Sequence, residues 1–505
     1  MRFIDNFLDR ITMYRLVLYY LIALLFNAAV LSLFGILSFS VFSIIFSVAI
    51  LVTVSWITNK IFAKIFNAPT NVESVYISAL ILTLIITPSQ SIQGAAYLGL
   101  AGVLAMASKY ILAINKKHIF NPVAIAVFLT AVGTNQFASW WVGSFAMIPL
   151  TILGGFLILK KVQKVNLAFS FLATTLFVII TFAIFNGSNL LAILNQALLH
   201  SALLFFAFVM LIEPSTTPPT KGLQVWYGIM VGLLFSPQVH FGSLYFTPEM
   251  ALLTGNIFSY IVSPKQKLIL FLKEKIQIAP DIFDFVFTPK KKLSFVPGQY
   301  AEWTFEHSRT DSRGNRRYFT IASSPTENDL RFGLKFYAQG SSFKNALVNI
   351  KPNTPVVASQ LAGDFTLPKD PKQKLVFIAG GIGITPFRSI IKYLIDVHEK
   401  RDIVLLYSDK QVSEIVYKDV FDQAQMELGI KTIYALTSEN LLPQGWLGKV
   451  GRIDGEMIRG EIPDFQERMF YLSGPHSMVN AFEKTLLDMG IFKSKIKTDF
   501  FPGYA

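Results

Sequence analysis

Two short runs in the C-terminal half of the chain carry side chains suited to redox chemistry. The first is Arg317-Tyr318-Phe319-Thr320-Ile321-Ala322-Ser323. On a strand, alternate side chains share a face, so Arg317 and Phe319 point one way and Thr320 the other. A guanidinium fork can neutralise a pyrophosphate bidentately. Phe319 offers a flat ring to an isoalloxazine, and Thr320 offers a hydroxyl to the flavin N5. Leu334-Lys335-Phe336 and the turn Gly340-Ser341-Ser342 present further backbone donors for phosphates. A plain barrel strand with a surface arginine would read the same way, so the second run decides between them.

That run is Gly380-Gly381-Ile382-Gly383-Ile384-Thr385-Pro386, directly after the apolar Leu375–Ala379. It reads as a buried parallel strand, a glycine turn and a helix opened by Pro386, with backbone amides free to approach a pyrophosphate. It is not the G-x-G-x-x-G spacing. A strand reaching Tyr407 ends at Ser408-Asp409-Lys410, where an adenosine ribose would lie. Another ends at Ser473-Gly474-Pro475, and ligands sit at such strand C-ends. Lys410 could attract the 2′-phosphate of NADPH, whereas Asp409 would repel it, and the balance leans to NADH. Of these residues, Thr320 is a candidate catalytic group.

Composition narrows what can carry the electrons. The chain has 505 residues and no cysteine, which excludes disulfides, cysteine-held iron–sulfur clusters and thioether-linked haem. Hydrophobic residues make up 52%, concentrated before about residue 265 in runs of transmembrane length. The formal charge of +13 fits a membrane better than nucleic acid, because the basic residues of this half occupy short breaks between apolar runs. Met1–Arg15 reads as amphipathic, with no signal-peptide cleavage pattern.

About ten spans are expected, centred near residues 24, 49, 81, 103, 130, 152, 176, 200, 229 and 256. All 14 Lys and Arg residues up to Lys267 fall on one side of such a topology, and none falls in the loops near 38, 90, 140, 188 and 242. With the N-terminus cytoplasmic this is the positive-inside pattern, and an even span count returns the C-terminal half to the cytoplasm. A motif recurs as well. Thr87-Pro88-Ser89 returns as Glu213-Pro214-Ser215, and Phe120-Asn121-Pro122 as Phe246-Thr247-Pro248. Pro88 to Pro122 and Pro214 to Pro248 are both 34 residues apart. The matching prolines fall on opposite sides of the bilayer, which predicts two inverted copies of five spans with a site between them.

The segment from Glu213 to Gly222, followed by Tyr227-Gly228, resembles a loop of the NqrB/RnfD family of flavin-carrying membrane proteins, as does Phe120-Asn121-Pro122. The similarity covers most of residues 15–262. Members carry FMN esterified to a threonine in a Ser-Gly-Ala-Thr motif. This chain lacks it, with Ala173-Thr174-Thr175 and Ser215-Thr216-Thr217 as the nearest runs, so the resemblance implies a non-covalent FMN or riboflavin. From about 270 to the end, five blocks resemble the ferredoxin–NADP⁺ reductase-like family in order: Pro297 to Tyr300, Arg317 to Ser323, Gly363 to Pro368, Gly380 to Pro386, and Ser473 to Pro475. Phe500 to Tyr504 resembles its terminus. That resemblance implies FAD and NAD(P)H, with Tyr504 over the flavin, Asp499 approaching it, and Ser473 near the nicotinamide where the family usually has cysteine, so that Ser473 and Tyr504 join Thr320 as the candidate catalytic residues.

The expected architecture is therefore multi-domain: an all-α polytopic membrane domain (1–265), an antiparallel β-barrel for FAD (266–370) and an α/β parallel-sheet domain for NAD(P) (371–505). Thr87, Asn121, Thr216, Thr217 and Asn256 are the candidates for holding a membrane flavin. His118, His200 and His240 fall at different depths, so no haem-ligating pair forms, and no metal is expected. The expected activity is electron transfer from NAD(P)H through FAD and a membrane flavin to an extracytoplasmic acceptor, a flavinylated protein or soluble flavin. A quinone in the bilayer is the alternative acceptor, and a transporter with a regulatory reductase half is an alternative of another class. The expected location is the bacterial inner membrane, with both termini and the reductase half cytoplasmic.

Overall fold

The computed structural model describes residues 11–66, 72–114, 117–242, 244–263, 268–289, 292–307, 310–311, 314–337, 340–438 and 442–499, with Ile4, Phe7 and Leu8. It divides into two compact units, Met1–Lys267 and Leu268–Ala505.

The first unit is helical: α1 (Met13–Leu33), α2 (Val41–Ile65), α3 (Val72–Ile85), α4 (Ile92–Ile111), α5 (Pro122–Thr134), α6 (Ile148–Val162), α7 (Val165–Phe185), α8 (Leu190–Leu199), α9 (Lys221–Phe235) and α10 (Pro248–Val262). A short turn and a π-helical stretch, Phe206–Met210, follow α8. Among the described residues, five segments are long and apolar enough to cross a membrane, or six if α8 and its continuation, bent by 52°, form one. These helices point to membrane association. α3, α5 and α9 are apolar but only 10–17 residues long. They are shorter than their apolar runs because of proline. α3 stops before Thr87-Pro88 and α5 cannot start before Asn121-Pro122, since proline supplies no N–H to the ladder.

Helix starts in an apolar medium leave N–H groups that must be satisfied locally. Side chains of Thr12, Ser40, Ser91, Asn121, Asn189 and Thr247 accept from the first turns of α1, α2, α4, α5, α8 and α10. The two copies of the repeated motif are built alike. Asn121-Pro122 and Thr247-Pro248 each pair a capping side chain with proline in the first helical turn. Tyr97 on α4 lies 3.4 Å from the Thr130 hydroxyl on α5, and Tyr227 on α9 accepts from Asn256 Nδ2 on α10 at 3.0 Å. Five residues beyond each tyrosine, Gly102 and Gly232 face Ser55 on α2 and Phe171 and Thr175 on α7. Small residues at these crossings bring the backbones close.

The second unit contains two six-stranded sheets. The first is antiparallel, with strands β1 (Leu268–Ala279), β2 (Ile282–Pro289), β3 (Tyr300–Thr304), β4 (Arg316–Thr320), β5 (Leu330–Lys335) and β6 (Pro355–Ala362) in the order β4-β3-β6-β1-β2-β5. It curls. Phe319 on one edge strand stacks on Phe332 of the other at 5.1 Å, and just past β4 the Ala322 N–H donates to the Arg331 carbonyl at 2.8 Å. Helix α11 (Ser342–Val348) packs Phe343 and Leu347 into that core.

The second sheet is parallel, with β7 (Leu375–Gly380), β8 (Ile403–Asp409), β9 (Lys431–Leu436), β10 (Lys449–Val450), β11 (Met469–Ser473) and β12 (Ile496–Asp499) in the order β10-β9-β8-β7-β11-β12. Every residue of β7 is buried, because helices cover both faces. Helices α12 (Thr385–Asp396) and α13 (Lys418–Leu428) pack on one side, and α14 (Gly455–Glu461) and α15 (His476–Asp488) on the other.

Buried charges bolt the two sheets together. Arg388 of α12 donates to both carboxylate oxygens of Glu327, at 2.6 and 3.0 Å, and to the Ala322 carbonyl at 2.8 Å. Asp284 of β2 accepts from Arg331 and from the Tyr417 hydroxyl, each at 3.2 Å. Burial acts to raise Glu327, but the Arg388 hydrogen bonds hold its carboxyl below the usual range. Replacing Arg388 with Met should leave Glu327 only the Ser324 amide and the more distant Arg331, and cost about 3 kcal/mol. Urea unfolding of the full chain, followed on the second unit, should show this, and an unchanged midpoint would count against the bolt.

Candidate functional site

β4 is held opposite β3, with Tyr300 facing Thr320 and Ala301 facing Phe319. Arg317 and Phe319 share a face, and both approach Phe343: the guanidinium at 5.0 Å and the Phe319 ring at 6.0 Å. Arg317 is 6% exposed, and its Nη1 donates to the carbonyls of Gly314 and Arg316 at 3.3 and 2.6 Å. A buried cationic fork beside an aromatic ring is the donor set a pyrophosphate needs. On the opposite face the Tyr318 hydroxyl donates to Glu302 at 3.0 Å.

Other residues of the expected flavin set are engaged elsewhere. The Ser342 amide donates to Asp311 Oδ2 at 2.8 Å, and its hydroxyl accepts from the Asp311 amide at 2.9 Å. Ser341 caps α11 by accepting from Lys344, and Gly340 packs against Asn345. Ser323 accepts the Arg331 amide with its hydroxyl, while its carbonyl accepts from Ser389 at 2.7 Å. Lys335 pairs with Glu414 on the loop after β8. These residues hold the site in shape.

In the parallel sheet, the turn Gly381–Ile384 leads from β7 into α12, with Pro386 in the first helical turn and the Thr385 hydroxyl donating to Ile382 O at 3.1 Å. A Cβ at Gly383 would sit 2.5 Å from Gly474 Cα and from the Ser473 carbonyl, so this turn interlocks backbone to backbone with the Ser473-Gly474-Pro475 turn. Gly381, at φ +54°, opens onto space in which the nearest atom is Asp409 Oδ2, 4.0 Å from where its Cβ would stand. That oxygen is buried without a hydrogen-bond partner, while Oδ1 accepts from the Lys410 amide at 2.9 Å. Ser408 lies level with Gly380 across the sheet. An open glycine turn beside an unpartnered carboxylate oxygen fits a ribose hydroxyl, so the residues suit a dinucleotide. Burial pushes the Asp409 carboxyl up to about 7.

The two sheets meet at Thr320, whose hydroxyl donates to Asp499 Oδ2 at 3.1 Å. Asp499 ends β12 level with Ser473 at the end of β11. Thr320, Tyr300, Ser473 and Asp499 thus converge from four strands. Burial pushes the Asp499 carboxyl up to about 7, with the Thr320 hydrogen bond pulling the other way. A carboxyl that titrates near neutrality beside a hydroxyl can hold or release a proton there. Tyr504 and Phe500–Gly503 lie outside the described residues.

In the first unit, three of the five candidate residues form one cluster. Asn121 Nδ2 donates to Glu213 Oε2 at 2.8 Å, the Asn121 amide to Asn256 Oδ1 at 2.8 Å, and the Thr216 hydroxyl to Glu213 Oε2 at 3.1 Å. His118 Nε2 lies 3.7 Å from the same carboxylate. Thr217 instead accepts from Lys164, and Thr87 is exposed. Sequence reasoning passed over Glu213 and Glu249 as buried acids, because each sits beside a proline at a helix boundary and reads as an end residue.

Comparisons with known proteins match the C-terminal half of the chain to oxidoreductases. Residues 377–484 match the family described as "Oxidoreductase NAD-binding domain". The chain is 27% identical over 217 residues to a flavohemoprotein of Bacillus cereus, covering 41% of this chain and 53% of that protein. It is 33% identical over 159 residues to one component of the Na(+)-translocating NADH-quinone reductase of Yersinia pestis, covering 31% and 39%. The chain therefore spans about half or less of the curated relatives it matches. Among solved structures, the flavohem-like FAD/NAD-binding domain of a Vibrio cholerae nitric oxide dioxygenase aligns with 46% of this chain and 97% of its own, at 22% identity and TM-score 0.41. The C-terminal unit is of the oxidoreductase class.

Two outcomes follow from the site. In the Asp499→Asn variant, an ionisation near 7 should vanish from the pH profile of hydride transfer measured by stopped flow, while the Asp409→Asn profile keeps it. Gly383→Ala should drive the two turns apart and lower kcat/KM for the nicotinamide substrate at least tenfold; an unchanged value would show that the interlock does not shape the site.

Proposed function

We propose that this chain takes electrons from NADH on the cytoplasmic side and delivers them across a bacterial inner membrane to an extracytoplasmic acceptor, a flavinylated protein or a soluble flavin. The observation that carries the reading is the convergence of Thr320, Ser473 and Asp499 where the two sheets of the C-terminal unit meet. FAD, when bound, would take two electrons from the nicotinamide and give them up singly. Arg317 would hold its pyrophosphate, and Phe319 and Thr320 would set its ring. The glycine turn and Asp409 would place the dinucleotide, with Asp499 holding a proton at Thr320.

In this reading the first unit is a ten-span, NqrB/RnfD-like domain made of two inverted halves, with both termini cytoplasmic. The matched caps and Tyr97–Thr130 and Tyr227–Asn256 contacts support the repeat, and the one-sided Lys and Arg distribution supports the orientation. A hydrocarbon core of about 30 Å is too wide for one electron transfer step, so a non-covalent FMN or riboflavin is assigned to this unit. A quinone in the bilayer is the second reading, favoured by the 33% identity to a component of a NADH-quinone reductase.

Acid-released flavin counted per chain tests the reading: two flavins are expected, and one alone would leave a membrane-bound reductase without an onward carrier. Arg317→Ala should lose most of the FAD, whereas Thr217→Ala should keep it. Measured at about pH 8.5, above the raised Asp409 titration, Asp409→Ser should raise kcat/KM for NADPH roughly tenfold, since one like-charge contact worth about 1.4 kcal/mol is removed. An NADPH rate that stays low would assign selectivity elsewhere.

A further inference from the structure

Where the glycine turn of the parallel sheet meets the antiparallel sheet, one cation and two carboxylates stand together. Lys335 is the last residue of β5. Two residues before it, a Cβ at Gly333 would stand 2.7 Å from the Tyr417 hydroxyl and 3.1 Å from side-chain atoms of Ile382 and Thr385. That face of β5 therefore looks onto the glycine turn and the start of α12, and strand alternation sends the Lys335 side chain the same way. There it pairs with Glu414, which ends the short turn Val412–Glu414 beyond β8. The pair is mostly out of water, with side chains 18% and 13% exposed. β8 itself ends at Asp409, the group that faces the open glycine turn.

The three groups act on one another. Burial does most to raise the Asp409 carboxyl, the Glu414 carboxylate adds to the rise, and Lys335 acts against it. Burial acts to raise Glu414 too, but the Lys335 hydrogen bond holds its carboxyl below the usual range. Glu414 is thus ionised at neutral pH and neutralises a lysine at the ribose end of the site. A free ribose 2′-hydroxyl needs an acceptor there, whereas a 2′-phosphate needs a cation. Selectivity is a difference of affinities, and part of it comes from what a site refuses. We propose that Glu414 is a specificity-determining residue: by holding the Lys335 ammonium, it denies the 2′-phosphate of NADPH the cation that would bind it, and leaves Asp409 to accept from the 2′-hydroxyl of NADH. Without the Glu414 charge, Lys335 would stand uncompensated in a partly buried place, where an arriving phosphate would satisfy it. An ion pair that only fastened β5 to the loop after β8 would act differently. Cutting it would loosen the groove and weaken both dinucleotides alike.

The inference deepens the proposed dinucleotide site and rests on that reading. Its test is the ratio of the dissociation constants for NAD⁺ and NADP⁺, titrated calorimetrically into the full, FAD-loaded chain in lipid nanodiscs. Glu414→Gln, which keeps the shape and removes the charge, should shift the ratio toward NADP⁺ about fivefold or more. Adding Lys335→Met to that variant should abolish most of the shift, because the uncovered cation is gone. A ratio that does not move in Glu414→Gln, with both dinucleotides weakened together or neither changed, would overturn the role of Glu414. So would a shift that survives the loss of Lys335. Failure of the unaltered chain to bind NAD⁺ would instead sink the dinucleotide reading itself, and the proposal with it.

Discussion

Hydride transfer tolerates little slack between donor and acceptor, so the C-terminal unit depends on how its two sheets are locked. The lock is a set of buried charges: Arg388 with Glu327, and Asp284 with Arg331 and Tyr417. Each group would be expensive to bury alone, and each carboxylate here accepts from an arginine. Because Arg388 and Tyr417 belong to the helices packed on the parallel sheet, while Glu327, Asp284 and Arg331 belong to the antiparallel sheet and its loop, neither layer can slide without breaking a charged contact. The Thr320–Asp499 hydrogen bond and the Gly383–Gly474 interlock sit within that frame and inherit its precision.

The first unit works under the opposite constraint. Its apolar helices offer no partner for a polar group, so each one must be capped or paired. Side-chain caps and the Glu213 cluster meet that demand internally.

Most of the C-terminal unit was legible in the chain, because strand alternation and glycine turns have local signatures. The runs at Arg317 and Gly380 name their strands, and Ser473 and Asp409 fall at strand ends as alternation predicts. What bridges the sheets was not legible: Arg388, Glu327, Asp284 and Tyr417 are far apart in sequence and look like surface charges and a lone aromatic. In the membrane unit, apolar run length marked where helices lie but overstated their length at prolines. The roles of Lys335 and Ser342 also escaped, since their partners Glu414 and Asp311 come from distant or irregular segments.

The central claim is passage of electrons from one side of the membrane to the other. Proteoliposomes of quinone-free lipid, sorted so that the C-terminal unit faces outward, would receive NADH outside and hold an impermeant oxidant inside. The account predicts that the trapped oxidant is reduced at a rate abolished by Arg317→Ala. Oxidation of NADH only after a quinone is added, with the trapped oxidant untouched, would contradict it.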